Sequence, residues 1–206
     1  MKRKSRYTVS RTDKGWPAKG KIYPDLSGFN AWKHKDVVAW RSWVSNEYLL
    51  ESDILLLTPC SNVKPYPKSP TSRKIRGVLR RLGYWDDEGN GLFGAPIGVE
   101  WSYLSDLLVL VPYIRAHEYP ACCYEYAPQI IGGEKDTVIE EIRETLLMFF
   151  KRNYKLRIII LYLPRFYNIL LEPVLNNILD STKIFKVKYH IFYGHRWLEN
   201  VLREVL

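Results

Sequence analysis

The sequence predicts an α/β protein in which helices pack on a mostly parallel sheet. Segments with apolar residues at helical spacing alternate with short apolar runs of strand length. This alternation is typical of layered α/β folds, because helices supply the crossovers between parallel strands. A chain of 206 residues is long enough for one domain with a substantial core. We assign residues 27–206 to that domain and residues 1–26, which lack apolar periodicity, to a basic N-terminal arm.

The first three elements are predicted from apolar spacing and from the residues that bound them. Apolar residues near helical spacing predict a helix over residues 29–50, with its tryptophans more typical of core packing than of a base-stacking platform. The run Ile54–Thr58 is short and apolar, which is typical of a buried strand. A second amphipathic helix is predicted over residues 72–82, with Thr71 or Ser72 as its N-cap.

The later elements are predicted in the same way. Two strand candidates, at residues 91–98 and 107–114, are each interrupted by a proline, which removes a backbone donor. Residues 117–128 are rich in proline, tyrosine and cysteine and are predicted to form a long loop. The remaining elements are a helix at 136–151, a strand at 156–163, a helix at 165–179, a strand at 184–193 and a helix at 195–206.

Positive charge is concentrated in two segments of the chain. The net charge is +9, and basic side chains dominate residues 1–24 and 61–85. This concentration predicts a polyanionic partner, with nucleic acid as the first candidate, while a role in solubility is the alternative. No apolar stretch approaches the roughly 20 residues that a transmembrane helix needs, and no signal-peptide pattern is present. We therefore expect a cytoplasmic protein without a membrane partner.

Neither a disulfide framework nor a metal site is predicted. Three cysteines without framework spacing do not indicate a disulfide scaffold. His190 and His195 lie across a predicted strand end with no third ligand in view, so a metal site is not expected. No cofactor is expected.

The segment 59–66 is the strongest candidate for a functional site. It follows the first predicted strand, and open parallel sheets bind ligands outside the carboxyl ends of their strands. Cys60 is a potential nucleophile if Lys64 or a helix N-terminus stabilises its thiolate, although a lone cysteine is also a common core residue. Pro59 and Pro65 stiffen the backbone around it, and stiffness preorganises a site.

The segment and the residues that follow it form a pattern: Pro59 and Cys60, then Lys64, Pro65 and Tyr66, and finally Ser69. This pattern resembles the signature of archaeosine synthase, an archaeal tRNA-modifying enzyme. Two further segments are similar to segments of that family, namely Pro96-Ile97-Gly98-Val99, and Tyr119-Pro120-Ala121 followed by Tyr124-Glu125. The resemblance covers roughly residues 30–195.

The resemblance implies both a fold and a reaction. The fold is a three-layer α/β/α sandwich similar to that of uracil-DNA glycosylases, in which the loop after the first strand faces the nucleobase. The reaction is the addition of an amine from lysine to the nitrile of a cyano-deazaguanine base in tRNA. Cys60 is then either a covalent nucleophile that forms a thioimidate or a residue that only shapes the pocket. Lys64 and Tyr66 orient the nitrile or donate to it.

The same reading assigns binding roles to two further groups of residues. Contacts to the base or substrate are expected from side chains near the signature and near the tyrosine-rich loop. Contacts to the phosphate backbone are expected from the basic side of the second predicted helix. The first group is Pro59, Ser61, Ser69, Pro120 and Tyr124, and the second is Arg73, Arg76 and Arg80.

Two departures from the family pattern leave other functions open. Ser72 stands where the family has a histidine. The family's further domains, related to tRNA-guanine transglycosylase and to the PUA module, do not fit in 206 residues, so a partner subunit is their expected source. The alternatives are a non-catalytic nucleic-acid-binding protein and a DNA base-processing enzyme that flips its target base into the same crevice. Against the second alternative, the loop offers only Asn62 as a residue that activates water.

Overall fold

A computed structural model describes residues 35–59, 68–88, 94–104, 135–178 and 181–206 of the chain. Within these ranges the chain forms five α-helices and six strands. In chain order they are α1 (Lys35–Asn46), β1 (Ile54–Thr58), α2 (Pro70–Arg81), β2 (Trp85–Asp86), β3 (Ala95–Pro96), β4 (Glu100–Tyr103), α3 (Lys135–Arg152), β5 (Ile158–Leu161), α4 (Arg165–Leu175), β6 (Lys183–Lys186) and α5 (Gly194–Val205).

Four of these strands form a parallel sheet in the order β4-β1-β5-β6. Leu56 on β1 lies opposite Trp101 on β4 and Ile160 on β5, and Ile160 in turn lies opposite Phe185 on β6. Parallel neighbours cannot be joined by hairpins, so helical connections cross the faces of the sheet. The prediction of an α/β protein with a mostly parallel sheet is therefore confirmed.

Helices cover both faces of this sheet. Alternate side chains of a strand point to opposite faces, and β1 divides its leucines accordingly. Leu55 and Leu57 join a core cluster that also contains buried residues of α1, α3 and α4. Leu56 joins a second cluster with buried residues of α2 and α5. Burial on both sides explains why β1 reads as a continuous apolar run. Trp40 is fully buried in the first cluster, as the sequence predicted.

Helix α2 begins two residues earlier than the sequence predicted, and its cap is different. The N-cap is Ser69, in extended conformation with φ −66° and ψ 148°, and not Thr71 or Ser72. The Ser69 hydroxyl accepts a hydrogen bond from the backbone N–H of Ser72 at 3.0 Å. Pro70 occupies the first helical position, where its fixed φ suits the helix and its missing N–H costs nothing.

Several strand predictions need correction. Of the candidate at 91–98, the structure describes residues 94–98, which contain the short strand β3 paired antiparallel with β2. Strand β4 was not predicted, because the buried carboxylate of Glu100 interrupts its apolar pattern. Tyr48 donates its hydroxyl to that carboxylate at 3.3 Å. The strand predicted at 184–193 ends at Lys186, where the chain turns toward α5. The candidate at 107–114 and the loop at 117–128 lie outside the described residues.

Helices α3 and α5 and strand β5 agree with the sequence prediction to within two residues, whereas α4 ends at Leu175. Helix α1 spans Lys35–Asn46 of the predicted 29–50, and residues 29–34 lie outside the described residues. A small two-stranded unit of β2 and β3 packs Trp85 against the second cluster. Within the described ranges, no helix has both the length and the apolar character that crossing a membrane requires.

Candidate functional site

The sheet has a topological switch point between β1 and β5. The chain leaves β1 through α2 and continues to β4 on one side, whereas it leaves β5 through α4 and continues to β6 on the other. Adjacent parallel strands whose connections depart in opposite directions open a crevice at their carboxyl ends, which is where such sheets bind ligands. Pro59 directly follows β1 at this crevice and is buried. Residues 162–164 follow β5 on the facing side.

The segment that leaves β1 at Pro59 is anchored at its other end by hydroxyl groups. The Ser69 hydroxyl donates to the Ser72 hydroxyl at 2.8 Å, and the Ser72 hydroxyl lies 2.9 Å from the hydroxyl of Tyr103. Tyr103 is the last residue of β4. The network therefore ties the start of α2 to the carboxyl end of the neighbouring strand. Both ends of the segment 59–69 lie at the same edge of the sheet.

This network gives Ser69 and Ser72 structural duties. Both side chains are buried, with Ser69 at 0% and Ser72 at 2% exposure. Ser69, predicted to bind base or substrate, uses its hydroxyl to cap α2. Ser72, at the position of the family histidine, uses its hydroxyl to join Ser69 to Tyr103. Sequence spacing gave no sign of Tyr103, because its strand was not predicted.

Aromatic rings border the carboxyl ends of β1 and β4. The indole N–H of Trp101 donates to the hydroxyl of Thr58 at 2.9 Å. Thr58 is the last residue of β1, and this bond gives its buried hydroxyl a hydrogen-bond partner. The ring of Trp101 lies 5.5 Å from Tyr103 and 6.1 Å from Trp85, between ring centroids. The edge of the crevice beside β1 is therefore a packed wall of aromatic side chains, in which the indole N–H of Trp101 is paired with Thr58 and that of Trp85 is buried without a partner among the described residues.

On the β5 side, Tyr162 reaches toward the loop that precedes α5. Its hydroxyl donates to the backbone carbonyl of His190 at 3.0 Å. Burial, with a smaller contribution from Tyr189, raises the pKa of Tyr162 to about 12, so the hydroxyl stays protonated. Gly194 makes this approach possible, because a Cβ there would lie 2.4 Å from the Tyr162 hydroxyl oxygen. Tyr162 was not among the predicted site residues.

Two polar atoms at this edge are buried without a hydrogen-bond partner among the described residues. One is Oδ1 of Asn168 in the first turn of α4, whose Nδ2 donates to the Leu163 carbonyl at 3.0 Å. The other is Nδ1 of His195 at the start of α5. Burial, and then the nearby charge of Lys74, lowers the pKa of His195 and favours its neutral form. Buried polar atoms without partners are rare in native proteins, and a functional role is one of the explanations for them.

The three arginines predicted to contact phosphate occupy different environments on α2. Arg73 is exposed near the N-terminus of the helix. The guanidinium of Arg76 lies 5.9 Å from the ring centroid of Trp85 and is partly buried. That burial, followed by repulsion from Arg80, lowers the pKa of Arg76. Arg80 forms an ion pair with Asp87. A phosphate contact therefore stays a prediction for all three, and Arg73 and Arg80 are both exposed.

Several predicted site residues lie outside the described part of the chain. They are Cys60, Ser61, Lys64, Tyr66, Pro120 and Tyr124. Their roles stay predictions. Among the described residues, no group of three or more His, Cys, Asp or Glu side chains is arranged to hold a metal ion.

Residues 37–200 match the sequence family described as Domain of unknown function (DUF5591). The chain belongs to this family. The DUF5591 chain is also 25% identical over 140 residues to archaeosine synthase subunit alpha of Thermoplasma acidophilum. That match covers 68% of the chain but 24% of the relative, so the chain spans about a quarter of the relative's length. The similarity supports the relationship that the 59–69 signature predicted.

The DUF5591 chain is also similar to a crystal structure of AF0587, a protein of unknown function. The TM-score is 0.48 at 18% sequence identity, and the alignment covers 79% of this chain and 48% of that one.

Proposed function

We propose that this protein modifies tRNA by joining the amine of lysine to the nitrile of a cyano-deazaguanine base, as the resemblance to archaeosine synthase implies. One observation carries the proposal: the signature segment 59–69 spans the connection from β1 to α2 at the switch point of the sheet. The similarity to archaeosine synthase subunit alpha supports it. Pro59 and Ser69 fix the two ends of the segment at the carboxyl edge, and Cys60 follows directly after Pro59.

The chemistry asks little beyond positioning and proton transfer. Addition of an amine to a nitrile forms one C–N bond, and a proton moves from the amine nitrogen to the former nitrile nitrogen. No atom leaves, and no oxidant or reductant is consumed. In the covalent route the Cys60 thiol first adds across the nitrile to give a thioimidate, and the amine then displaces the thiol. In the direct route Cys60 only lines the pocket, while Lys64 and Tyr66 orient the nitrile or donate a proton to it.

The architecture is suited to a base that has left its stack. We propose that the base enters the carboxyl edge beside Trp101 and Tyr103 after the nucleotide is extruded from its helix, because a base inside a duplex cannot reach an enzyme's reacting groups. Helices on both faces of a parallel sheet are compatible with the uracil-DNA glycosylase-like sandwich, and we propose that relationship for the fold. We further propose that a second subunit contributes tRNA contacts, because the relative is itself described as a subunit, archaeosine synthase subunit alpha.

A second candidate is a non-catalytic RNA-binding subunit of the same system. Ser72 favours it, because the residue at the family histidine position is buried and hydrogen-bonded to Ser69 and Tyr103. A serine hydroxyl at this place cannot take over the acid-base role of an imidazole near neutral pH.

The two candidates are separated by one assay. Cyano-deazaguanine tRNA is incubated with lysine and the protein, and the digested nucleosides are weighed by mass spectrometry. We expect a new nucleoside heavier by one lysine. Cys60→Ala is expected to abolish its formation by the covalent route, while the control Met148→Ala, at an exposed position of α3 away from the signature, retains it.

Two results would redirect the assignment. Near-normal turnover by Cys60→Ala would exclude the covalent route and leave the direct one. Absence of the new nucleoside with the unaltered protein, while an active family member modifies the same tRNA in parallel, would contradict the enzymatic proposal and favour the non-catalytic subunit.

A further inference from the structure

The connection between β6 and α5 exposes large aromatic side chains. We call the rings of His190, Phe192, Tyr193 and Trp197 the aromatic patch. Phe192 is 64% exposed, Tyr193 58% and Trp197 38%, and the neighbouring Ile191 is 55% exposed. Single exposed apolar residues are ordinary, but several adjacent ones mark a surface that binds something.

The aromatic patch has a defined geometry. Nδ1 of His190 accepts hydrogen bonds from the backbone N–H groups of Phe192 and Tyr193, each at 3.2 Å. The His190 ring is nearly parallel to Tyr193, at 5.3 Å and 27°, and meets Trp197 edge-on at 6.5 Å and 86°. The turn therefore holds these rings in fixed positions, in which they are exposed to solvent.

Positive charge accompanies these rings. Nζ of Lys74 donates to the carbonyls of Ile191 and Phe192 at 3.1 and 3.3 Å, and lies 5.6 Å from the centroid of the Phe192 ring. Nζ of Lys188 lies 5.1 Å from the centroid of the Trp197 ring.

The acidic side chain on the adjoining helix does not cancel this charge. Glu199 is engaged by Arg81 and Arg203, and their hydrogen bonds lower its pKa to about 2. The local electrostatic balance therefore favours an anionic partner over a cationic or neutral one.

The patch lies beside the candidate site. It follows β6 at the carboxyl edge of the sheet, and Lys74 connects it to α2, the helix that begins at Ser69. Tyr162, directly after β5, holds the backbone of His190 from the other direction. A chain that enters the crevice therefore has an aromatic, cationic surface next to it.

We propose that the aromatic patch is a stacking platform for a single-stranded segment of RNA. Bases stack on Phe192, Tyr193 and Trp197, and Lys74 and Lys188 contact the adjoining phosphates. Exposed rings interleaved with lysines are the usual means of holding unpaired nucleotides. The choice of RNA rests on the proposed function, while the stacking surface itself rests on the geometry above.

The test measures binding of a fluorescein-labelled single-stranded RNA of about 12 nucleotides, a length within the footprint of such surfaces. We expect Phe192→Ala and Trp197→Ala each to weaken binding about tenfold, because each removes the ring on which one base stacks. Lys74→Ala should reduce the dependence of the logarithm of affinity on the logarithm of salt concentration by about 0.7.

Tyr154→Ala is the matched control. Tyr154 is 62% exposed, and Nζ of Lys155 lies 5.9 Å from its ring centroid, so it repeats the pairing of an exposed ring with a lysine. It precedes β5 and therefore lies at the amino edge of the sheet. We expect its RNA affinity to stay within about twofold of the unaltered protein.

Several outcomes would overturn the proposal. They are failure of the unaltered protein to bind the RNA, full affinity in both aromatic variants, equal losses in Tyr154→Ala, or tighter binding of DNA of the same sequence. The outcome is separable from the enzymatic assay. Loss of RNA affinity in the patch variants without any nucleoside formation supports the patch and contradicts the enzyme. Nucleoside formation with unchanged RNA affinity in those variants supports the enzyme and contradicts the patch.

Discussion

The two edges of the parallel sheet are built on different principles. At the amino edge, Asn153 and Thr182 pair their side-chain polar atoms with the backbone of neighbouring elements, and Tyr154 is a single exposed ring. At the carboxyl edge, Asn168 Oδ1 and His195 Nδ1 are buried without partners among the described residues, and several adjacent rings of the aromatic patch are exposed. The contrast indicates that one edge holds the fold together and that the other is arranged for contact with something else.

Asn153 shows how the amino edge works. Its Oδ1 accepts from the backbone N–H of Leu50 at 2.8 Å, and its Nδ2 donates to the carbonyls of Tyr48 and Phe149 at 3.2 and 2.9 Å. One buried amide therefore joins the end of α3 to the segment between α1 and β1. Thr182 adds a similar bond from its hydroxyl to the carbonyl of Leu156 at 2.9 Å.

The largest expected effect comes from Asn153→Ala. The change leaves buried backbone groups without the hydrogen bonds that Asn153 makes to them. The free energy of unfolding should therefore fall by about 3 kcal/mol. Urea denaturation measures the loss, and RNA affinity at a temperature where the variant is folded should not change. Asn177→Ala removes an exposed bond to the carbonyl of Pro173 and should cost under about 1 kcal/mol. Equal losses in the two variants would contradict the special role of Asn153.

Gly194→Ala tests whether the carboxyl edge couples packing to binding. The new Cβ would lie 2.4 Å from the Tyr162 hydroxyl, so the start of α5 or the tyrosine must move. We expect a loss of about 2 kcal/mol in stability, typical of overpacking, together with weaker RNA binding because the aromatic patch shifts with the helix. Denaturation and fluorescence binding assays measure the two effects.

Gly77→Ala is the control for this change. A Cβ at Gly77 would meet only the end of the Arg81 side chain, at 3.6 Å, and alanine favours a helix interior over glycine by up to about 1 kcal/mol. The control should be neutral or stabilising. A Gly194→Ala variant that matched it in stability and in RNA affinity would refute the coupling.

The smallest effect is expected at Glu199, which bridges α2 and α5. Its pKa is lowered from 4.5 to about 2, chiefly by the Arg81 hydrogen bond, so its stabilisation is present above pH 4.5 and is lost as the pH falls toward 2. Glu199→Gln should lower the free energy of unfolding by up to about 1 kcal/mol at pH 7. The gap to the unaltered protein should close across that acid range. Glu140→Gln, which breaks an exposed pair with Arg143, should show little change at any pH.

The parts of the fold that follow from the sequence are those in which local pattern and tertiary burial agree. The run Ile54–Thr58 is apolar at every position but the last and is buried on both faces, so pattern and structure coincide. Strand β4 failed the same test, because Glu100 and Ser102 are polar yet buried. Their burial depends on partners distant in sequence, such as Tyr48, and no local pattern reveals such a pairing.

The candidate site divides in a similar way. Segment 59–69 was found because its residues are unusual and contiguous. Tyr162, Asn168 and Tyr103 were missed because each is an ordinary residue that matters through where its strand or helix ends. The aromatic residues of the patch are evident in the sequence. The strand predicted over 184–193, however, would turn alternate side chains in that segment toward the core. Only the early end of β6 at Lys186 places them in solvent.

The strand order also has a consequence for how the protein is made. β1 lies inside the sheet, yet its partners β4 and β5 both follow it in the sequence. Leu55 therefore cannot pair with Ile159 until about 100 further residues have been synthesised. At ribosomal speed that wait is on the order of 10 seconds. During it, an apolar strand with unpaired edges remains exposed on the nascent chain. Newly synthesised copies should therefore depend on chaperones, and the rate of refolding should be slow for the size of the chain.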